Sequence, residues 1–304
     1  MKCLTNHTRA PAPQSLYSAA MNDQLQRFLL DNTDIRGELV RLDKSYKNTL
    51  DAHVYPDAVA RLLGEFLAAA VLLSATLKFD GNISLQARSN GEIPLIVAEA
   101  SSEHTLRGIV RGADFASSDD FKTLLSNGHM TITIEPKQGK RYQGIVSLEG
   151  DNLAECIESY FRQSEQLSTR VWLSSNGKQV AGMMLQQLPS ISDAQIEARE
   201  ADWEHATHLA NTLTSEELLG LDFNQLLYRL YNQEQVRLFD PADLEFSCHC
   251  SRDRTLRALM TVGEKELLEI ISEQGSIETD CEFCHQHYQF DAKDIGELFE
   301  PSLH

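Results

Sequence analysis

Apolar positions recur with two different periods along the first two thirds of the chain. The spacing predicts a short amphipathic helix over residues 23–30 and a strand over 36–42. Pro56 then stands at a helix start, followed by Val59, Leu62, Leu63, Phe66, Leu67, Ala70, Val71 and Leu73. So broad an apolar face means a buried helix, the spine of the first core. Runs rich in Ile, Val, Thr and Tyr follow at 83–87, 94–98, 106–111, 130–134, 142–148, 170–173 and 179–185, punctuated by Gly. A further helix is expected over 152–163, capped by Asp151, with Leu153, Ile157, Tyr160 and Phe161 on one side. Many strands with few intervening helices predict an α+β fold with mostly antiparallel sheet and packed helices.

The texture changes after Pro189. Ser192 followed by Gln195 has the capping-box pattern and predicts a helix over 193–209, but its apolar positions are sparse: Ile196, Trp203, Leu209 and some alanines. Thr214 with Glu217 is a second capping box, and Leu218, Phe223, Leu226, Leu227, Leu230 and Tyr231 give the next helix more to bury. This region reads either as a linker of marginal stability or as an ordinary solvated helical hairpin. The expected division is a loose extension over 1–20, an α+β domain over 21–190, an acidic helical linker over 191–243 and a small terminal module over 244–304.

Composition narrows the function classes. With 304 residues, 42% of them hydrophobic and 24% charged, the chain can bury a sizeable core and is not a disordered one. The most apolar stretch, 66–77, is too short to span a bilayer, so no membrane role is expected. Lys2 and Arg9 are followed by Ala10-Pro11-Ala12-Pro13 where a signal peptide needs an apolar core, which predicts a cytoplasmic protein. The formal charge of −18 repels a phosphate backbone, and no nucleic-acid partner is expected. That excess belongs to the end of the chain: residues 1–189 carry 21 acids and 19 bases, 190–247 carry 12 and 3, and 248–304 carry 12 and 5.

Four of the six cysteines form Cys248-His249-Cys250 and, thirty residues on, Cys281-Glu282-Phe283-Cys284. Two close pairs either side of a small module have the spacing of a four-thiolate zinc site. A reducing compartment disfavours a disulfide framework, so a metal is the favoured reading. The C-x-C half is uncommon in purely structural sites and suggests a role beyond scaffolding. Thiolates are both the metal ligands and the form that oxidants attack, so a zinc ion here would hold a trigger as well as a fold. Zinc contributes on the order of 10–16 kcal/mol to folding in small zinc peptides, so its loss should unfold a tail of this size. A disulfide across C-x-C closes a very small, strained ring that is easily reduced, as a reversible sensor requires.

Other readings of the same residues compete. Cys281-x-x-Cys284-His285 matches a haem-attachment pattern but leaves Cys248 and Cys250 unexplained. A dithiol oxidoreductase needs its C-x-x-C to open a helix, whereas Tyr288-Gln289-Phe290 looks like a returning strand. A nucleic-acid module would use Arg252, Arg254 and Arg257, which are outnumbered by nearby acids. His249, His285 and His287 are expected to be bystanders, because four thiolates complete a tetrahedron. Cys156 reads as a small buried hydrophobe, and Cys3 has no partner by spacing. No paired-carboxylate, Ser/His/Asp or phosphate-loop arrangement stands out, and no enzymatic activity is expected. Gly108-Ile109-Val110-Arg111-Gly112 reads as strand punctuation.

The two cysteine pairs, Tyr288-x-Phe290, Tyr228-Arg229-Leu230-Tyr231, Leu77-Lys78-Phe79-Asp80-Gly81, Arg141-Tyr142-Gln143-Gly144 through Gly150, and Tyr160-Phe161-Arg162-Gln163-Ser164-Glu165-Gln166 carry a resemblance. From about residue 22 to 299 the chain resembles the redox-regulated heat-shock chaperones of the heat shock protein thirty-three family. The resemblance implies a cytosolic bacterial holdase, inactive when reduced and bound to one zinc ion through Cys248, Cys250, Cys281 and Cys284. It implies that peroxide with heat, or hypochlorite, pairs Cys248 with Cys250 and Cys281 with Cys284 and releases the zinc. The linker then unfolds, the first domain forms a homodimer, and unfolded clients are held without ATP until handed to ATP-dependent chaperones. Trp203, Leu209, Leu218, Phe223, Leu226, Leu227, Leu230 and Tyr231 are expected to contact clients once the linker opens. The alternative is a constitutive protein-binding module with a purely structural zinc ribbon. His285 stands where the family has a small or turn-favouring residue; His tolerates a left-handed backbone well enough for a zinc knuckle. Residues 1–20 have no counterpart in the family.

Overall fold

The computed structural model describes residues 23–77, 80–189 and 196–299. The expected extension with Cys3, the Ser192–Gln195 capping box, and Lys78 and Phe79 of one family motif lie outside the described residues. The chain begins with β1 (Gln24–Leu30) and β2 (Ile35–Leu42), then α1 (Lys44–Leu50) and α2 (Asp57–Ser74). Next come β3 (Gly81–Arg88), β4 (Leu95–Ser101), β5 (Thr105–Arg111), the short α3 (Phe121–Leu124), β6 (His129–Pro136) and β7 (Tyr142–Ser147). The first region closes with α4 (Leu153–Tyr160), a π-helical turn over Phe161–Glu165, β8 (Thr169–Ser175) and β9 (Val180–Gln187).

Two mainly antiparallel sheets enclose α2. The first has the order β10-β1-β2-β9-β8 and the second β12-β5-β4-β3-β6-β7, where β10 (Val236–Leu238) and β12 (Glu245–Phe246) arrive from much later in the chain. The α+β architecture expected from the sequence is what forms. Helix α2 packs on β4 and β5 of one sheet and on β2, β8 and β9 of the other, and fourteen of its eighteen residues are buried. A helix covered on both sides must be apolar nearly all round, which is why 66–77 comes closest to a membrane segment. Among the described residues no helix is long and apolar enough to cross a membrane.

Three local expectations are corrected. Residues 24–30 form the strand β1, not a helix: it pairs with β2 over its whole length, Phe28 opposite Gly37. Leu25 enters the α2 core while Phe28 and Leu30 enter a second core on the other face, so burial on both sides erased the alternation that marks a strand. Helix α4 is capped by Asn152, whose side chain accepts from the Glu155 amide at 2.9 Å, rather than by Asp151, and its α-helical part ends at Tyr160. The single helix expected after Thr214 is two: α6 (Ser215–Gly220) and α7 (Phe223–Tyr231), following α5 (Ile196–Ala210). The Thr214–Glu217 capping box forms, and a second box between Asp222 and Gln225 starts α7 anew.

Helices α5–α7 cover the outer face of the first sheet. Phe28, Leu30, Ile35, Leu39, Met183 and Leu185 meet Ala206, Ala210, Leu218, Leu226, Leu227, Leu230 and Tyr231 in one buried cluster, with Trp203, Leu209 and Phe223 at its rim. Among its described side chains helix α5 fully buries only the two alanines, in keeping with its sparse apolar positions, whereas α7 buries four large side chains. Arg41 of β2 reaches through to donate to the Leu218 carbonyl at 2.9 Å and lies over the Phe223 ring at 5.3 Å. After α7 the chain adds β10 to β1, then β11 (Ala242–Asp243) to β1, then β12 in parallel to β5. Residues 236–246 thus join both sheets of the first region.

Glu38 of β2 shares a face with Val40 and Leu42, turned toward α2, and is 2% exposed. Burial pushes its carboxyl up to about 7, against the pull of Arg36 and Arg27. A carboxyl raised in the folded state is no burden below its unfolded value of 4.5; the penalty grows between 4.5 and 7 and is complete above 7. Glu38→Gln is therefore expected to stabilise the fold by roughly 3 kcal/mol at pH 8 and by little at pH 4.5. Urea midpoints at the two pH values check it; equal shifts would refute it.

Candidate metal centre

The terminal module holds α8 (Arg252–Leu259), α9 (Glu264–Gln274), the hairpin β13 (Ile277–Asp280) and β14 (His287–Phe290), and α10 (Ala292–Phe299). Its core is small: Leu267, Ile277, Phe290 and Ile295 are buried, with Leu256, Leu259, Ile270, Ile271, Tyr288 and Phe299 partly buried around them. Cys248 and Cys250 leave β12 just before α8, whose N-terminus is capped by Ser251 accepting from the Arg254 amide at 3.2 Å. Cys281 and Cys284 sit in the β13–β14 turn, closed by the Cys281 amide on the Gln286 carbonyl at 2.9 Å and the His285 amide on the Cys281 carbonyl at 2.7 Å. His285 turns the chain at φ 54°, the left-handed conformation its residue type allowed.

These two segments bring four sulfurs together. Cys248 Sγ lies 3.6 Å from Cys281 Sγ, Cys250 Sγ lies 3.4 Å from Cys284 Sγ, and all four fall within 4.8 Å of one another. A tetrahedron with metal–sulfur bonds of about 2.3 Å has edges of about 3.8 Å, so the donor set fits one tetrahedral ion. The electrostatics ask for one. Burial pushes the Cys281 and Cys284 thiols up. At Cys248 burial acts the same way, but the Cys250 amide and the neighbouring sulfurs outweigh it and hold this thiol below its ordinary range. With no cation among them, the sulfurs cannot all be thiolates; a divalent ion removes that conflict. Tyr288 donates its hydroxyl to Cys250 Sγ at 3.2 Å, a bond that pushes the phenol up to about 12.

The dithiol and nucleic-acid readings lack their structural contexts. The Cys281–Cys284 pair lies in a hairpin turn, not at the start of a helix as a thioredoxin-like dithiol requires. Two of the three histidines have other partners: His285 Nε2 is 3.3 Å from His53 Nε2 on the first domain, and His287 Nδ1 is 2.8 Å from Asp280. Arg252 is held by Asp294 at 2.7 Å and lies over Phe290, and Arg254 donates to the His249 carbonyl at 2.8 Å, so two of the three arginines are engaged inside the module.

What sequence reasoning missed is the docking of this turn on the first domain. Arg107 of β5 donates to Cys248 Sγ at 3.6 Å, lies 4.2 Å above the Phe283 ring and pairs with Glu99 at 2.7 Å. Arg111 pairs with Glu282, whose carbonyl is 2.6 Å from His53 Nε2. No local pattern marks Arg107 or His53 for this role, since each lies more than a hundred residues from its partners. Cys156, by contrast, is 2% exposed in α4, and burial raises its thiol. In the native, metal-free, reduced chain it should stay unmodified by a thiol-disulfide reagent while the four clustered cysteines react, and react only in denaturant; equal native rates would contradict this.

Fold and site together define a two-sheet α+β protein with an appended four-cysteine module capable of holding a metal ion. The sequence matches the family described as Hsp33 protein over residues 23–291. It is 52% identical over 281 residues to the 33 kDa chaperonin of Pseudomonas aeruginosa, covering 91% of this chain and 95% of that one. The 33 kDa chaperonin of Shewanella loihica is 50% identical over 279 residues, covering 91% and 96%. The fold matches the crystal structure of the Thermotoga maritima 33 kDa chaperonin, a heat shock protein 33 homologue, with a TM-score of 0.78 at 22% identity, over 91% of this chain and 97% of that one. The chain belongs to the Hsp33 family of heat-shock chaperones.

Proposed function

We propose that this chain is a redox-regulated holdase of the cytoplasm, whose four clustered cysteines hold one zinc ion in the reduced state and release it on oxidation. The observation that carries the reading is the convergence of Cys248, Cys250, Cys281 and Cys284 within 4.8 Å, at the end of a strand that anchors the linker to the first domain. Each disulfide forms as two thiolates give two electrons to one hydrogen peroxide, which leaves as two hydroxides; two such steps consume all four zinc ligands. The resemblance gives Cys248 with Cys250 and Cys281 with Cys284 as the pairs, and disulfide mapping of the oxidised chain tests this. Without zinc the small module loses its main support, and β12 with it; α5–α7, held on the first sheet with α5 burying only small side chains among those described, then unfold from that face.

Unfolded client proteins are then offered apolar surface: Trp203, Leu209, Leu218, Phe223, Leu226, Leu227, Leu230 and Tyr231, together with the sheet face they cover. The oxidised chain acts as a homodimer and passes clients to ATP-dependent chaperones; its holding activity needs no catalysis. The test follows zinc with a colorimetric chelator before and after peroxide at raised temperature, with aggregation of a heat-unfolded client in the same samples. Release of about one zinc per chain with aggregation suppression that dithiothreitol reverses is expected. Zinc retained at full oxidation, or suppression indifferent to oxidation, would favour a constitutive binding protein with a structural zinc ribbon.

A further inference from the structure

We propose that Arg107, a residue of the first domain, is the counter-cation of the four-cysteine centre and raises its affinity for zinc. The inference rests on the reading of the cysteines as a zinc site. Four thiolates around one divalent ion leave a net formal charge of about −2 on the centre. A guanidinium from outside the module reaches the centre: Arg107 Nη1 is 3.6 Å from Cys248 Sγ. Its placement is built rather than incidental. Its Nε is held by Glu99 at 2.7 Å, its guanidinium carbon lies 4.2 Å from the ring centroid of Phe283, between the two turn cysteines, and its side chain is 19% exposed. A largely buried guanidinium donating to a sulfur makes a charge-assisted bond, and the cation–π contact with the ring favours its approach.

The strand that carries Arg107 also holds the segment leading to Cys248. The Glu245 amide donates to the His104 carbonyl at 3.1 Å and the Ser247 amide to the Leu106 carbonyl at 3.1 Å, so β5 fixes both the cation and the backbone entering the first ligand. On the opposite side of the turn, Arg111 with Glu282 and His53 with the Glu282 carbonyl bind the knuckle to the same domain. An exposed pair such as Arg111–Glu282 contributes little alone, and Tyr288, which donates to Cys250 Sγ, belongs to the module and is neutral, which leaves Arg107 as the first domain's charged contact to the sulfurs. Reciprocity follows: by whatever factor docking tightens zinc, zinc tightens docking, so the domain that is regulated takes part in holding its own regulator. Outer partners of metal ligands typically govern affinity by 10–100-fold.

The experiment measures zinc affinity of the reduced, full-length chain by competition with a chromophoric chelator, and amide exchange over residues 245–247 and 281–286. Arg107→Met, which keeps the aliphatic stem, is expected to release zinc at about tenfold lower chelator strength and to speed exchange in both segments. Glu99→Gln, which removes the anchoring pair but keeps the cation, should change affinity by less than Arg107→Met. Arg107→Lys keeps a charge without the stacking plane and should fall between, and it carries the test if the methionine variant does not fold. Wild-type affinity in a folded Arg107→Met chain overturns the proposal while the zinc reading stands. A loss as large in Glu99→Gln overturns it too, because the effect then comes from the β4–β5 pairing. A wild-type chain that binds no zinc overturns the zinc reading itself, and the proposal with it.

Discussion

Stripping zinc from the reduced chain is expected to unfold residues 252–299 while the two-sheet domain stays folded. Among its described residues the module's core buries only four side chains, Leu267, Ile277, Phe290 and Ile295, and its helix α8 buries none. A segment of this size has too little core to stand alone, whereas structural zinc contributes on the order of 10–16 kcal/mol in comparable small sites. The first domain has its own core around α2 and needs no metal. Amide exchange after chelation under reducing conditions separates the parts: β13, β14 and α10 should lose protection by several orders of magnitude and α2 should keep it. A module that stays protected without metal would show that its apolar contacts suffice and would remove zinc as the trigger.

Leu226→Asp is expected to release α5–α7 from the first sheet in the reduced, zinc-bound chain and to give aggregation suppression without any oxidant. Leu226 is fully buried between α7 and the sheet, against the cluster that contains Phe28, Leu39 and Met183. Truncating such a leucine costs about 2–5 kcal/mol, and an unpaired buried carboxylate adds several more, enough to detach three helices of which α5, among its described side chains, buries only two alanines. The second sheet and α2 do not touch this site, so the rest of the domain should keep its thermal transition. Leu226→Met, which preserves volume, should behave as wild type. Released helices without suppression would mean that clients bind elsewhere than on the face these helices cover.

The cysteine centre was legible because its information is local: two tight pairs announce a metal site before any fold is known, and His285 could be judged for its turn by residue type alone. Helix α2 was legible from its length and broad apolar face and β3 from its alternation, while β9, buried on both faces, was legible only as a short apolar run bounded by Gly177 and Pro189. Strand β1 was not, because both of its faces are buried in different cores and alternation vanishes; over seven residues its apolar spacing fits a helix equally well. The break between α6 and α7 was hidden for a related reason, since the apolar positions run on across Gly220–Asp222 and only the capping bonds of Asp222 show that the chain turns.

By itself, then, the sequence determined the α+β class, the capped acidic helices after residue 196, and four cysteines spaced for one tetrahedral ion, because propensity, capping and ligand spacing act between near neighbours. Only the tertiary structure decided what those helices cover, that β10 and β12 join two different sheets of the first domain, and that Arg107, Arg111 and His53 meet the cysteine turn. The strand pairings of β10 and β12 and the docking of the cysteine turn join residues more than a hundred positions apart, and even the helices meet β8 and β9 only through tertiary packing, so these partners are set by how the sheets and α2 pack, which no local pattern encodes.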